Sequence, residues 1–181
     1  EILIGLVGSE MCIRDRIYNS LTSFRINGPV DITYERYCDT AAGIQCITDS
    51  TQISSTRRSS FTLPNGNSGT ALLLFLSSNE EEYIEVEQGL SAGKNADECI
   101  AYLSGIWEDV SGASLSEIMT ESREDDIIWQ FRIVSHDSDI SIFAAADIDG
   151  VPYIVGASTS EENIDISSNV FAEIILSLIH I

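Results

Sequence analysis

The chain has 181 residues, 29 of them acidic against 9 basic, for a net charge of −20. Phosphate binding needs clustered Lys and Arg, so nucleic acid and anionic membrane surfaces are excluded as expected partners. Apolar residues make up 44% of the chain, enough for one buried core, and no apolar run reaches the roughly 18 residues of a bilayer span.

Both ends carry a signal of their own. Gly8 to Arg16 (GSEMCIRDR) back-translates to GGC TCG GAG ATG TGT ATA AGA GAC AGN, the DNA of a transposase-type sequencing adapter with its mosaic end. Leu176 to Ile181 (LSLIHI) back-translates to CTG TCT CTT ATA CAC ATC, the reverse complement of that mosaic end. Residues 1–16 and 176–181 are therefore read as adapter-derived, non-native segments. The expected domain is 17–175, a fragment of a longer protein, and a signal peptide, anchor or adjoining catalytic domain stays open.

Ile17 to Phe24 is ambiguous, and Asn27-Gly28-Pro29 is punctuation. Val30, Ile32 and Tyr34 alternate with Asp31, Thr33 and Glu35, which predicts a strand, with Gly43 to Asp49 as its hairpin partner. Cys38 and Cys46 lie symmetrically about Ala42 in YCDTAAGIQC. Directly opposed residues in a hairpin have Cα atoms about 4.5 to 5.5 Å apart, which a disulfide can bridge. Two readings stay open: a Cys38–Cys46 bridge, which would argue for an oxidising compartment, or two reduced, packed thiols. Cys99 reads as a small buried apolar residue.

Thr51 to Ser60 reads as a polar connection or an edge strand. The turn cluster Pro64 to Gly69 precedes Thr70 to Leu76 (TALLLFL), a continuous apolar run expected as a central strand covered on both faces. In Tyr83 to Gln88, Ile84 and Val86 are expected to face inward while Glu85 and Glu87 stay wet. Asp97 to Val110 predicts a helix capped by Asn95, with Cys99, Tyr102, Leu103 and Ile106 on one stripe. Leu115, Ile118 and Met119 suggest a second short helix.

The organising stretch is 126–175. Ile127, Trp129, Phe131 and Ile133 alternate with Ile128, Gln130, Arg132 and Val134, the period of a half-buried strand. A second strand runs through Ile140, Ile142, Ala144, Ala146 and Ile148 to Asp149-Gly150, a type I′ turn dipeptide, and Val151, Tyr153, Val155 and Ala157 form the return strand. Thr159 or Ser160 is the expected cap of a closing helix whose first turn carries Glu161 and Glu162. Its expected apolar face is Ile166, Val170, Phe171, Ile174 and Ile175. Hairpin, strands, helix, meander and helix together predict an α+β architecture, an antiparallel sheet with helices packed on it.

Few residues suggest chemistry. Gly66-Asn67-Ser68-Gly69 resembles the nucleophile loop of trypsin-like proteases, which makes Ser68 a candidate nucleophile. Thr70-Ala71 replace the family's Gly-Pro, and no histidine precedes Ser68. His136 is the only histidine outside the adapter-like ends and the second catalytic candidate. Asp137 and Asp139 beside it are candidate oxygen ligands for a cation but lack the further ligands of a calcium loop. Gly89 to Asn95 (GLSAGKN) misses the phosphate-loop spacing by one residue. Glu85 and Glu87 form a carboxylate pair of the kind a glycosidase uses, at a spacing common on any strand face. No cofactor is expected.

The pattern FAAADIDGVPYIVGASTSEEN, followed by an amphipathic helix, resembles the end of the PsbP-like α/β/α sandwich family, in which such a hairpin leads into a closing helix. The resemblance implies a non-catalytic, often exported or membrane-associated binding module, and it carries over no functional residue. The expectation is thus a binding or structural domain of an exported or surface protein, with an unknown protein or small-molecule ligand. The alternatives are a serine hydrolase fragment using Ser68, or an accessory domain of an enzyme.

Overall fold

In the computed structural model the described residues are 33–123, 126–160 and 163–180, with 179 and 180 described by backbone alone. The expectations for 1–16, Ile17 to Phe24, Asn27 to Pro29, Val30, Ile32, Glu124-Asp125 and Glu161-Glu162 lie outside these residues.

The stretch around Trp129 forms a meander of β8 (Ile128–His136), β9 (Asp139–Ile148) and β10 (Val151–Ser160). Trp129, Phe131 and Ile133 are buried, and Ile127 is partly buried against the same core. Asp149 and Gly150 close β9 onto β10 with φ of 51° and 79°, the two positive values that a type I′ turn requires. β5 (Tyr83–Gln88) pairs with β10, β4 (Ser68–Phe75) with β5, and β3 (Ser55–Thr62) forms the edge. All these pairings are antiparallel. The apolar run expected to be central is therefore next to the edge.

The short helix expected over Leu115 to Met119 is instead β6 (Ser114–Leu115) and β7 (Met119–Ser122), both paired with β8. The outer edge of β8 presents backbone N–H and C=O groups that need partners, and pairing them outweighs a weak local helical spacing.

A second, smaller sheet contains β1 (Tyr34–Asp39), β2 (Ile44–Asp49) and β11 (Ile179–His180). Its hairpin register bears on the two readings open for Cys38 and Cys46. Cys38 stands opposite Gln45 and Tyr37 opposite Cys46, one residue away from symmetry about Ala42. Because side chains alternate between faces, this single step sends Cys46 into the core and leaves Cys38 exposed. Cys38 donates its thiol hydrogen to Gln45 Oε1 at 3.4 Å, and Cys38, Cys46 and Cys99 are all free thiols.

Two helices cover opposite faces of the large sheet. α1 (Ala96–Glu108) starts at Asn95, whose side chain accepts from the Glu98 N–H at 2.9 Å, while Glu98 Oε2 accepts from the Lys94 N–H at 2.9 Å. Its buried stripe is Ala96, Cys99 and Ile100, with Leu103 and Trp107 partly buried, and it packs on Val134, Phe143, Ala145 and Ile154. Tyr102, expected on the stripe, instead sits at the rim, where its hydroxyl accepts from the Asn65 N–H at 3.1 Å.

α2 (Ile164–Ser177) lies on the other face with the β1–β2 hairpin. It departs from expectation at both ends. Thr159 and Ser160 still belong to β10, and Asn163 is the N-cap. Val170, Phe171, Ile174 and Ile175 are buried as predicted, but Ile166 is 45% exposed and Ile164 takes the inward place. The helix also runs past Ile175. Ser177 Oγ accepts from the Ile47 N–H and donates to the Ile47 carbonyl, each at 2.8 Å, and Leu178 is buried. Ser177 and Leu178 thus pack with the domain expected to stop at 175, while Leu176 is exposed.

Polar contacts tie the hairpin to its surroundings. Glu173 Oε2 accepts from Thr48 Oγ1 at 2.5 Å and from the Asp49 N–H at 2.8 Å, joining α2 to β2. Arg58 of the edge strand donates through Nε and Nη2 to the two carboxylate oxygens of buried Asp39, which also accepts from the Ala41 and Ala42 N–H groups. These donors hold the Asp39 carboxyl below its ordinary range, with the Arg58 hydrogen bond the largest cause.

Candidate functional site

The α1-facing side of the large sheet is read from its registers. Opposed residues share a face, so Glu87 lies level with Ile154 and Ala71, Glu85 with Gly156 and Leu73, and Tyr83 with Ser158 and Phe75. α1 packs over β8, β9 and β10. Along the far margin of that helix, a cavity of about 110 Å³ opens between Leu103 and Trp107 above and Glu85, Glu87, Phe143 and Gly156 below.

This corrects the expectation that Glu85 and Glu87 stay wet. Glu87 is 5% exposed and Glu85 is partly buried. Alternation along β5 gives one buried and one solvated face only where one side of the sheet is open, and this sheet is covered on both sides. Glu87 Oε2 is fully enclosed and has no hydrogen-bond partner among the described residues. Burial pushes the Glu87 carboxyl up to about 8, with the neighbouring Glu85 charge adding to the shift. Burial also raises Glu85, and it raises Tyr83, where the Glu85 charge is the second cause.

Gly156 makes room for this arrangement. A Cβ there would stand 2.6 Å from Glu85 Oε1 and 2.8 Å from Glu85 Cγ, so the Glu85 side chain occupies the space that any larger residue would claim. Behind Glu87, Cys99 donates its thiol to the Gly89 carbonyl at 3.3 Å. Burial, and then the Glu87 charge, push that thiol up to about 12. Cys99 is thus a buried packing residue, as its helical position suggests.

The residues singled out in the sequence are not brought together. Ser68 begins β4 in the exposed hairpin turn, its Oγ 3.0 Å from Thr62 Oγ1. His136 ends β8, four strand spacings away in the order β4-β5-β10-β9-β8, or roughly 19 Å at about 4.8 Å per step. Ser68 and His136 therefore do not form a nucleophile and base pair. Asp137 occupies the β8–β9 turn with φ of 54° and a largely exposed side chain, its Oδ2 3.9 Å from His136 Nδ1, and Asp139 pairs with His136 across the turn. Among the described residues no three or more His, Cys, Asp or Glu side chains are grouped to hold a metal ion. Gly89 to Ser91 form a short 3-10 turn that leads into α1, which accounts for the GLSAGKN segment.

Among the described residues, no helix is long and apolar enough to cross a membrane. No protein-family model and no curated protein sequence matches the chain. Its structure is similar to the solution structure of cyanobacterial PsbP (CyanoP) from Synechocystis sp. PCC 6803, with a TM-score of 0.54 and 13% sequence identity. The match covers 87% of this chain and 98% of that one. Helices on both faces of an antiparallel sheet, with a meander closed by α2, are thus a PsbP-like α+β fold, and at this identity the likeness speaks for the fold alone.

Proposed function

We propose that the chain is a non-catalytic binding or structural domain of an exported or surface protein, and that its binding site is the cavity between α1 and β5. One observation carries this reading: Glu87 is enclosed at the cavity wall without a hydrogen-bond partner. A buried carboxyl left unpaired costs stability, and packing alone gives no reason to keep it there. Concave sites that combine apolar walls with a few convergent polar groups are the usual form of small-ligand pockets. The exported or surface setting is what the sequence resemblance to the PsbP-like family implies, and the hairpin thiols are free. An accessory domain in a longer enzyme is the same reading in a larger chain.

The test is to treat the full chain with a fluorophosphonate serine probe and with model esters. The expected result is no labelling of Ser68 and no turnover that depends on it. Labelling abolished by Ser68→Ala would sink the non-catalytic reading in favour of a hydrolase.

A further inference from the structure

Among the residues lining the cavity there are two carboxylates and no Lys, Arg or His. The opposite wall is apolar and aromatic, with Leu103 and Trp107 from α1, while Phe143 of β9 lies on the sheet floor level with Gly156. We propose that this cavity binds a small organic cation, a primary ammonium group on a short carbon stem, with the charge between Glu85 and Glu87 and the stem against Trp107. The proposal rests on the reading of this cavity as the binding site.

Three features of the cavity select that chemistry. First, the enclosed oxygen of Glu87 lacks a donor, and an ammonium group carries three donors and no acceptor. Neutral alcohols supply one donor and leave uncompensated the charge that Glu87 carries above about pH 8. Second, the volume of about 110 Å³ is about four times the roughly 30 Å³ share of a liquid water, which suits a cation of a few non-hydrogen atoms. Third, the walls are wrong for a metal ion. Calcium takes 6 to 8 oxygen ligands, whereas here two carboxylates, with the hydroxyl residues Tyr83, Ser141 and Ser158 along the same lining, face hydrocarbon and indole, and no third His, Cys, Asp or Glu among the described residues joins them. Aromatic faces attract organic cations through the ring quadrupole, which makes Trp107 a suitable wall for the carbon next to the charge. The lysine of a partner protein and a free alkylamine share this chemistry.

The two tryptophans supply the readout, because Trp107 lines the cavity whereas Trp129 is buried in the core on the opposite face of the sheet. The full chain labelled with nitrogen-15 is titrated with propylammonium chloride at pH 9, above the Glu87 value of about 8 and below the roughly 10.4 of a lysine-type amine. A saturable shift of the Trp107 indole signal is expected, with the Trp129 signal unmoved. Glu87→Gln and Glu85→Gln should each weaken binding by about tenfold or more, the scale of one lost charge-assisted hydrogen bond. An unchanged Trp129 signal shows that each variant is folded.

Nα-acetyl-lysine methylamide forms a second arm. Binding of both compounds points to a lysine side chain as the natural occupant, and binding of propylammonium alone points to a free amine. A Trp107 shift produced equally by 1-propanol or by sodium acetate, with no loss in Glu87→Gln, overturns the cation chemistry while leaving a binding cavity. An equal shift with calcium chloride overturns the preference for an organic cation. No shift with any of these compounds overturns the proposal together with the choice of this cavity.

Discussion

The Glu85 carboxylate lies across Gly156 on the neighbouring strand, so close that a Cβ at position 156 would stand 2.6 Å from Glu85 Oε1. A single small residue on β10 thus sets where a charged group on β5 sits. Gly156→Ala should push the Glu85 side chain out of the cavity and cost about 1 kcal/mol, at the low end for overfilling a packed site. Glu85→Ala in the same chain should recover most of that loss. Urea unfolding of the two single variants and the double variant measures the coupling, and fully additive losses would show that the two residues do not compete for this space.

Glu87 makes the domain less stable as the solution becomes more alkaline. Its folded value of about 8 stands above the ordinary 4.5, so between those values the folded chain holds more protons than the unfolded one. Stability contributed by the protonated form is complete below about 4.5 and is lost as the pH rises through about 8. Each unit of difference corresponds to about 1.4 kcal/mol. Glu87→Gln should therefore stabilise the chain by about 1 to 3 kcal/mol at pH 9 and by almost nothing at pH 4. Glu85, raised in the same direction, leaves part of the slope in place. Equal effects of the variant at both pH values would contradict the burial described for Glu87.

The hairpin register makes a separate demand on the thiols. Cys38 should react readily with iodoacetamide in the native chain, while Cys46 and Cys99 should react only on unfolding, since both are buried and pushed up to about 12. Peptide mass spectrometry of non-reduced material reads this directly. A Cys38–Cys46 link in oxidised protein would require a register one residue from the one described.

The last turn of α2 is expected to matter even though its sequence looks like read-through. Ending the chain at Ile175 removes the burial of Leu178, both Ser177 contacts to Ile47, and the Leu178 carbonyl that accepts from Arg123 at 2.8 Å. Burial of one leucine and two or three hydrogen bonds set the loss at about 3 kcal/mol. Thermal melts of the two chain lengths check this, and superimposable melts would show that residues beyond 175 add nothing to the stability of the domain.

The sequence by itself determined the elements whose signals are local. Period-two burial from Trp129 to Ile133, the Asp149-Gly150 turn, the Asn95 cap and the amphipathic face from Val170 to Ile175 each depend on neighbours within a few residues, and each is found in the fold. The thiol pairing, the strands in place of a helix at Leu115 to Met119, and the burial of Glu85 and Glu87 were decided only by tertiary structure. A one-residue register step carries little local signal, yet it reverses every side chain it touches. Alternation along β5 shows which residues share a face but not what covers that face. The cavity exists because α1, eight residues further along, folds back across residues from β5, β9 and β10, and its charged floor is set by a glycine some seventy positions away.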